Sequence, residues 1–444
     1  MENFLQPVKD QYEAYPYPQR NPKDELKMLW STYGCNLLEM NYYCFGGKET
    51  FQNGFRVLDA GGGTGDSTIF LAEQLRDMKG AEVVYADIST ASMDIAKERA
   101  RIRGLTNITF IQKSILDFPK AKEMGKFDYV TCSGVLHHLE DSDAGLAALK
   151  SVLKEGGAMG IMVYGKYGRT GIYQMQDLMR LVNGDEESMA KKIANAKGVV
   201  SSLPASNWVK MAENLAPDHK TFGDIGYYDL FLHSHDRCFD IPGLYTWIEK
   251  QGLHLTEFAI TEWRNMLDPE MFIKDQNLLK IVKSYDIKKQ RAIMEILVGN
   301  IFKHTVYASS MENPKASLDD LDMVPFFHGI SPSNVYEFME NNPGRQIIFN
   351  HKNGHKITIN PQPYTKMIFK YLDGNRTFKE IFEQIHQDLK DETVTDEKLM
   401  VDFKSMFETF IKLDWMLIRH KSVSKMPELN ELQSRMIKLN TQAA

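Results

Sequence analysis

Three stretches of this chain hold residues whose types and spacing could do chemistry. The run Phe55-Arg56-Val57-Leu58-Asp59-Ala60-Gly61-Gly62-Gly63-Thr64-Gly65-Asp66-Ser67 passes from a short apolar segment into glycines, then into helix-compatible residues, Thr68 to Leu75. Strand, glycine turn and helix in that order offer backbone N–H groups to a ligand at the strand ends of an open α/β sheet. Gly61, Gly63 and Gly65 alternate, which lets the main chain approach a ligand where a Cβ would clash. Asp59, at the strand end, can accept from a cationic or amine-bearing ligand. A nicotinamide or flavin fingerprint needs Gly or Ala at position 66, where this chain carries Asp66. A carboxylate at that helix start repels a pyrophosphate. The spacing suits a ligand with a positive centre, a free amino group and no phosphates.

The second stretch is Ala81 to Asp87, a buried-strand pattern that ends in an acid. Asp87 arrives a helix-length after Asp59, where a βαβ unit sets a carboxylate against two vicinal ribose hydroxyls. The plainer role, a cap on the helix Ala91 to Arg103, is compatible with it. The third stretch is Phe127-Asp128-Tyr129-Val130-Thr131-Cys132-Ser133 followed by Gly134-Val135-Leu136-His137-His138-Leu139, a strand end that brings backbone and imidazole to the cleft.

Two further segments are free to roof such a cleft. Tyr12-Glu13-Ala14-Tyr15-Pro16-Tyr17-Pro18 reads as an extended, stiff arm, either a flap over the ligand or rings packed on the surface. Residues 226–240 read as a loop that concentrates Asp229, His233, His235, Asp236 and Arg237. Their spacing lacks a recognised metal-ligand pair, so no metal is expected. A pocket wall that contacts an acceptor is favoured over a metal site, and a satisfied structural network over both for any one residue.

The glycine run and the V-L-H-H-L run resemble motifs I and IV of the class I S-adenosylmethionine (SAM)-dependent methyltransferases, densely over residues 50–165. That resemblance implies SAM as cofactor, held by Asp59, Gly61, Gly63, Gly65 and Asp87, with Ile88 and Ser133 alongside. It also lays the loop Lys113 to Pro119 over the adenine. Many relatives carry Asp where this chain has Ser114, which leaves the adenine amino contact to Asp117, or to the Ile115 backbone with Ser114. The implied reaction is methyl transfer to an O or N acceptor, either a small molecule or a protein side chain. Such an in-line displacement depends on positioning and desolvation. An acceptor that must lose a proton needs a base, and His137, His138, His233 and Tyr17 are the candidates.

The wider architecture resembles bacterial methyltransferases with a methyltransferase regulatory domain, on Tyr164 to Tyr173, Tyr228 to Phe239 and Asp373-Gly374-Asn375-Arg376-Thr377. Some of that group are protein-lysine methyltransferases, so protein-lysine N-methylation is one alternative. A non-catalytic SAM-binding regulatory or scaffold protein is another.

The elements that must position these residues follow from hydrophobic periodicity. Strands at Ile108 to Gln112, Phe127 to Ser133 and Ala158 to Tyr164 join the first two in a doubly wound parallel sheet. Leu253 to Phe258 completes it. The expected organisation is a methyltransferase domain at 1–262 with its core at 50–165 and a helix-rich insertion at 166–250. A helical regulatory region follows at 263–330, helical from Pro269 through Ala308. A linker spans Gly329 to Gly344, and a winged-helix-like accessory domain occupies 331–444, with a hairpin around Asn353-Gly354. Since every motif lies upstream, a chain ending near Pro332 is expected to keep cofactor binding.

The 444 residues carry a net charge of −6 and four scattered cysteines. That balance gives no pull toward nucleic acid, and no window approaches the roughly 18 apolar residues of a membrane span. The reading is a cytoplasmic protein with reduced thiols. Its partners would be the acceptor and a protein at the C-terminal module, with a homodimer left open.

Overall fold

A computed structural model describes residues 2–186, 188–211, 217–233, 235–328, 332–350 and 356–442. Its centre is a sheet of eight strands: β1 (Arg56–Ala60), β2 (Glu82–Asp87), β3 (Ile108–Gln112), β4 (Phe127–Ser133), β5 (Leu153–Gly165), β6 (Cys238–Phe239), β7 (His254–Phe258) and β8 (Lys303–Ser309). The order is β3-β2-β1-β4-β5-β8-β7, with the short β6 paired to β5. Strands β1 to β5 are mutually parallel, and the register sets Asp59 beside Tyr85 on one side and Thr131 on the other. Near-continuous apolar runs such as Val57-Leu58 and Val83-Val84 are buried on both faces, as parallel strands covered by helices require. The covering helices include Asp66–Leu75, Thr90–Arg103, Ser142–Ser151 and Ile241–Glu249.

The helical reading from Pro269 through Ala308 needs correction. Helix Ile287–Val298 closes at Gly299, whose φ of +66° forms the left-handed cap. Lys303–Ser309 is then a buried strand, antiparallel to both β5 and β7 and lying between them. A strand covered on both faces loses its two-residue alternation, so periodicity cannot distinguish it from a buried helix. The sheet is therefore parallel in its first half and mixed at its far edge.

Two further corrections concern the cleft. The aromatic arm is not extended throughout, because Glu2–Ala14 is a helix and the chain straightens only at Tyr15, before Pro16 and Pro18. Residues 226–240 are not a loop throughout either, since Asp224–Phe231 is helical. The segment expected to link two domains carries a helix, Pro332–Asn341.

The C-terminal residues pack as a second layer on the sheet's helices. Strand β9 (Met323–Phe327) pairs antiparallel with β12 (Met416–His420), and β10 (Ile347–Asn350) pairs with β11 (Lys356–Ile359). The Asn353-Gly354 turn lies outside the described residues. Helices Thr365–Tyr371, Phe378–Leu389 and Asp396–Ile411 stand between β11 and β12. Thr377 and Glu380 form a reciprocal capping box at the start of the second. One apolar cluster runs from Leu37 and Tyr42 through Phe327 and Phe403 to Leu417, so the layers share a core. Beside it, the buried Asp414 carboxylate accepts from Arg264 at 2.6 Å, Tyr43 at 3.1 Å and the Thr261 hydroxyl.

Candidate active site

The glycine turn leaves β1 at the carboxyl end of the sheet. Gly61, Gly63 and Gly65 hold φ of +80°, +51° and +97°, all left-handed. A Cβ on Gly61 would lie 2.4 Å from Val135, and one on Gly63 would lie 2.6 Å from the Tyr17 carbonyl. Only glycine fits both the backbone conformation and the space. The Gly61 and Gly62 amides close the turn by donating to the Ala86 carbonyl at 2.7 and 3.2 Å.

Asp87 stands over this turn. Its two carboxylate oxygens accept from the Gly63 amide and the Ser89 amide, each at 2.8 Å. Each oxygen keeps a further lone pair. Burial raises its carboxyl from the usual value, and the amide bonds oppose the rise. Asp59 is deeper, 2% exposed, and accepts from the Thr68 hydroxyl at 2.5 Å. Burial pushes its carboxyl up to about 7, with the charge on Asp87 adding to the rise.

Residues 12–26 cross this turn as a strap. The Thr64 amide donates to the Tyr17 carbonyl at 3.3 Å, and the Thr64 hydroxyl to the Pro18 carbonyl at 2.8 Å. Glu13 caps the helix Thr90–Arg103, accepting from the Thr90 and Ala91 amides at 2.7 and 3.0 Å. Arg20 makes a two-pronged pair with Asp66, at 2.9 and 2.7 Å. Arg99 bonds the other end of the assembly, donating to Asp66 at 2.7 Å and to Glu25 at 2.7 Å. Asp66 therefore holds the strap down.

On the far side of the strap lies a pocket of imidazoles, tyrosines and acids. His137 and His138 leave β4 in a short 3-10 turn, Leu136–His138. His137 is fully buried, its ring 3.8 Å from that of Tyr164 and 4.1 Å from that of His138. His138 stacks on His233 at 3.7 Å with the planes 23° apart. Burial holds His137 and His233 well below the usual imidazole range and His138 near about 3, so all three are neutral. His138 Nδ1 lies 2.9 Å from the His235 carbonyl, which places its proton there and leaves Nε2 as a lone pair.

Asp229 is buried, and burial pushes its carboxyl up to about 7. Asp236 is satisfied by contrast: Arg169, Gln176 and Tyr173 reach it at 3.2, 3.1 and 3.4 Å. Tyr12 joins the two halves of the site. Burial raises its phenol, and the charges of both Asp229 and Asp87 add to that rise. Tyr17 sits edge-on to Phe222 at 5.9 Å, and Tyr15 stacks on Tyr228 at 6.2 Å, so the strap bears on the insertion.

The structure thus brings His138, His233 and Asp229 together, with the His137 ring against His138 and the strap tyrosines Tyr15 and Tyr17 against the insertion. His235 and Asp236 do not share one role with His233, since Asp236 belongs to Arg169. Ile88 is half-buried beyond Asp87, and Ser114 caps the turn Ile115–Lys120 by accepting from the Leu116 amide at 3.3 Å. Ile115 packs in the core, while Asp117 and Ser133 are exposed at the strand ends. Sequence reasoning missed Tyr164, whose ring carries the Arg169 guanidinium at 3.5 Å, and the Arg169–Asp236 pair. Partners 67 residues apart leave no local signal. It also missed the pairing of Asp66.

Comparison with known proteins agrees with this geometry. Residues 51–216 match a family model described as a methyltransferase domain. A Synechococcus protein, syc1184_c, is 34% identical over 267 residues, covering 58% of this chain and 61% of its own. The ubiquinone/menaquinone biosynthesis C-methyltransferase UbiE of Shewanella sp. ANA-3 is 30% identical over 173 residues, covering 38% of this chain and 62% of its own. The chain thus spans less than two thirds of the length of these relatives. The solved structure of PKMT2 from Rickettsia typhi, in complex with AdoHcy, has a TM-score of 0.57 at 18% identity. It covers 92% of this chain and 76% of that one. Residues 51–216 are a methyltransferase domain, and the chain has the class I fold of S-adenosylmethionine-dependent methyltransferases.

Proposed function

We propose that this chain transfers a methyl group from SAM to an O or N acceptor seated beneath the strap. The observation that carries the reading is adjacency. The strap spans both halves: the Tyr17 carbonyl accepts from the Thr64 amide at the glycine turn, while the Tyr15 and Tyr17 rings pack on Tyr228 and Phe222 of the insertion. The turn fits SAM by its chemistry: left-handed glycines packed too closely for any Cβ, a carboxylate on Asp87 with lone pairs to spare, and a second carboxylate, Asp66, at the helix start where a pyrophosphate would meet it. When bound, SAM supplies the electrophilic methyl group. The chain's own residues do the rest. Asp87 holds the ribose hydroxyls, the strap excludes water, and Tyr17 orients the acceptor. His138 Nε2, neutral and lone-paired, takes a proton from an acceptor that must lose one.

A protein acceptor, lysine among them, is the second reading. It is favoured by a likeness to PKMT2 that extends over 92% of the chain, the C-terminal layer included. On that reading the C-terminal helices serve as a winged-helix-like accessory module that recruits a protein partner. All four cysteines are free thiols, which suits the cytoplasm. No helix among the described residues is long and apolar enough to cross a membrane.

The test is incubation with tritiated-methyl SAM and a cell lysate, then separation into protein, nucleic-acid and small-molecule fractions. Label above that of a heat-inactivated control in the protein or small-molecule fraction supports transfer, and the fraction names the acceptor class. No label in any fraction, with SAM bound, favours the non-catalytic scaffold.

A further inference from the structure

His138, Asp229 and His233 reach one point from three segments: the turn after β4, the helix Asp224–Phe231 and the chain that follows it. Each offers one ligand atom, and these atoms lie within 4.8 Å of one another. All three residues are 5% exposed or less. We propose that they form a binding site for one divalent first-row transition-metal ion, with zinc the best match to the donor set.

His233 Nε2 is buried with no hydrogen-bond partner. The Asp229 carboxylate accepts no hydrogen bond from a described residue, and Arg169, the guanidinium nearest in charge effect, is committed to Asp236. A buried ring nitrogen without a partner is costly unless something else supplies one. A dication held between the Asp229 carboxylate and His138 would supply it.

The partner of His138 points the same way. A metal-bound imidazole characteristically gives its other N–H to a carbonyl or carboxylate, which fixes the tautomer. His138 does this through Nδ1 and the His235 carbonyl, at 2.9 Å. His233 Nδ1 takes a long bond of 3.2 Å from the His235 amide. Ligation through Nε2 moves the ring proton to Nδ1 and gives up that bond. Two imidazoles and one carboxylate match zinc and its neighbours rather than magnesium or calcium, which prefer all-oxygen sets. Three protein ligands also leave a coordination position open, as in catalytic rather than structural zinc sites.

Among the described residues, a second such cluster, Asp320, Asp322 and His420, contrasts with it. There Lys48 and Lys421 already neutralise the acids at 2.9 Å each, and the groups are half-exposed. The site rests on the proposed function only for its place beside the acceptor: with an ion bound, His138 Nε2 is a ligand, and the proton of an acceptor that must lose one falls to His137 or Tyr17.

The experiment uses the full chain, freed of any histidine tag and stripped with a chelator. Cobalt(II) is titrated in while its visible d–d absorption is followed, and zinc is then added in competition. Saturation at one ion per chain, with an intense spectrum that zinc abolishes, is the expected result. Asp229→Asn removes a buried charge and should fold, which retained S-adenosylhomocysteine binding verifies. It and His138→Ala should each weaken cobalt binding at least tenfold. An unsaturable, weak spectrum like that of aqueous cobalt overturns the site, as does wild-type affinity in both variants. Tritiated methyl incorporation by the stripped protein is measured in parallel. Transfer without metal binding defeats this inference and leaves the proposed function standing.

Discussion

Replacing Asp87 with Asn separates the two jobs that its carboxylate can do. In the free protein one oxygen accepts from the Gly63 amide and the other from the Ser89 amide, both at 2.8 Å. The asparagine amide keeps one acceptor and turns an NH₂ toward the other backbone N–H. One hydrogen bond to a charged group is lost and a buried donor is left without a partner, at a cost to folding of about 1–3 kcal/mol. If the same carboxylate also receives the two ribose hydroxyls, binding of S-adenosylhomocysteine weakens by roughly a further 1.5–3 kcal/mol, a factor of about 10 to 150. Thermal melting of the ligand-free protein reads the first term, and titration calorimetry reads the second. A lowered melting temperature with affinity unchanged within twofold would refute the ribose assignment and leave Asp87 as a cap between the turn and the helix Thr90–Arg103.

Asp59→Asn tests the buried charge below it. Burial raises the folded carboxyl to about 7, above its unfolded value, so the contribution of Asp59 to stability is fullest at low pH and is lost as pH rises from about 4 through about 7. The variant should be the more stable by about 2–4 kcal/mol at pH 8 and equal near pH 4, and parallel melting curves across that range would contradict the assignment. Tyr17→Phe should lower kcat more than it weakens SAM binding, the pattern of lost acceptor positioning; equal losses in both would make the strap a cofactor lid alone. A chain ending near Pro332 should fail to accumulate as soluble protein, because truncation strips β12 from β9 and bares Tyr42 and Phe327. A soluble fragment that binds SAM would show that the layers fold independently.

The truncation reverses what the sequence alone suggests, and the reason is physical. The glycine turn, the acid ending β2 and the V-L-H-H-L run are local patterns, so five parallel strands and their helices were legible in the order in which they occur. The shared core is not local. Phe407 lies 6.1 Å from Tyr42 across more than three hundred residues, and nothing near either residue announces the other. Strand β8 was hidden for a different reason, since burial on both faces erases alternation. The helix Asp224–Phe231 was hidden by composition: glycine, two tyrosines and an aspartate look like a loop until packing against the helix Thr170–Asn183 orders them. At the site, the residue types were legible but their grouping was not. His233 pairs in space with His138 rather than with His235 two positions away.

The two halves of the cleft treat buried charge in opposite ways, and the contrast bears on what each is for. Beneath the strap two acids have their cations, Asp66 with Arg20 and Arg99 and Glu25 with Arg99 and Arg103, while Asp59 and Asp87 are met by hydroxyl and amide donors. Removing either member of such a pair leaves an uncompensated buried charge, at a cost of about 3–5 kcal/mol, so that network secures the turn before any ligand arrives. In the imidazole pocket the accounting is left open. His137 has no partner at either ring nitrogen, and His233 has none at Nε2. Folding alone gains nothing from such groups, each of which costs free energy while it stays buried and unmet. Apolar residues of the same size would hold the insertion against the sheet at less expense. His137 and His233 lie where the β4 turn and the insertion converge. On the reading proposed above, the acceptor side is where a bound ligand, metal ion or substrate, supplies the missing partners, while the cofactor side is prepared in advance by the chain itself.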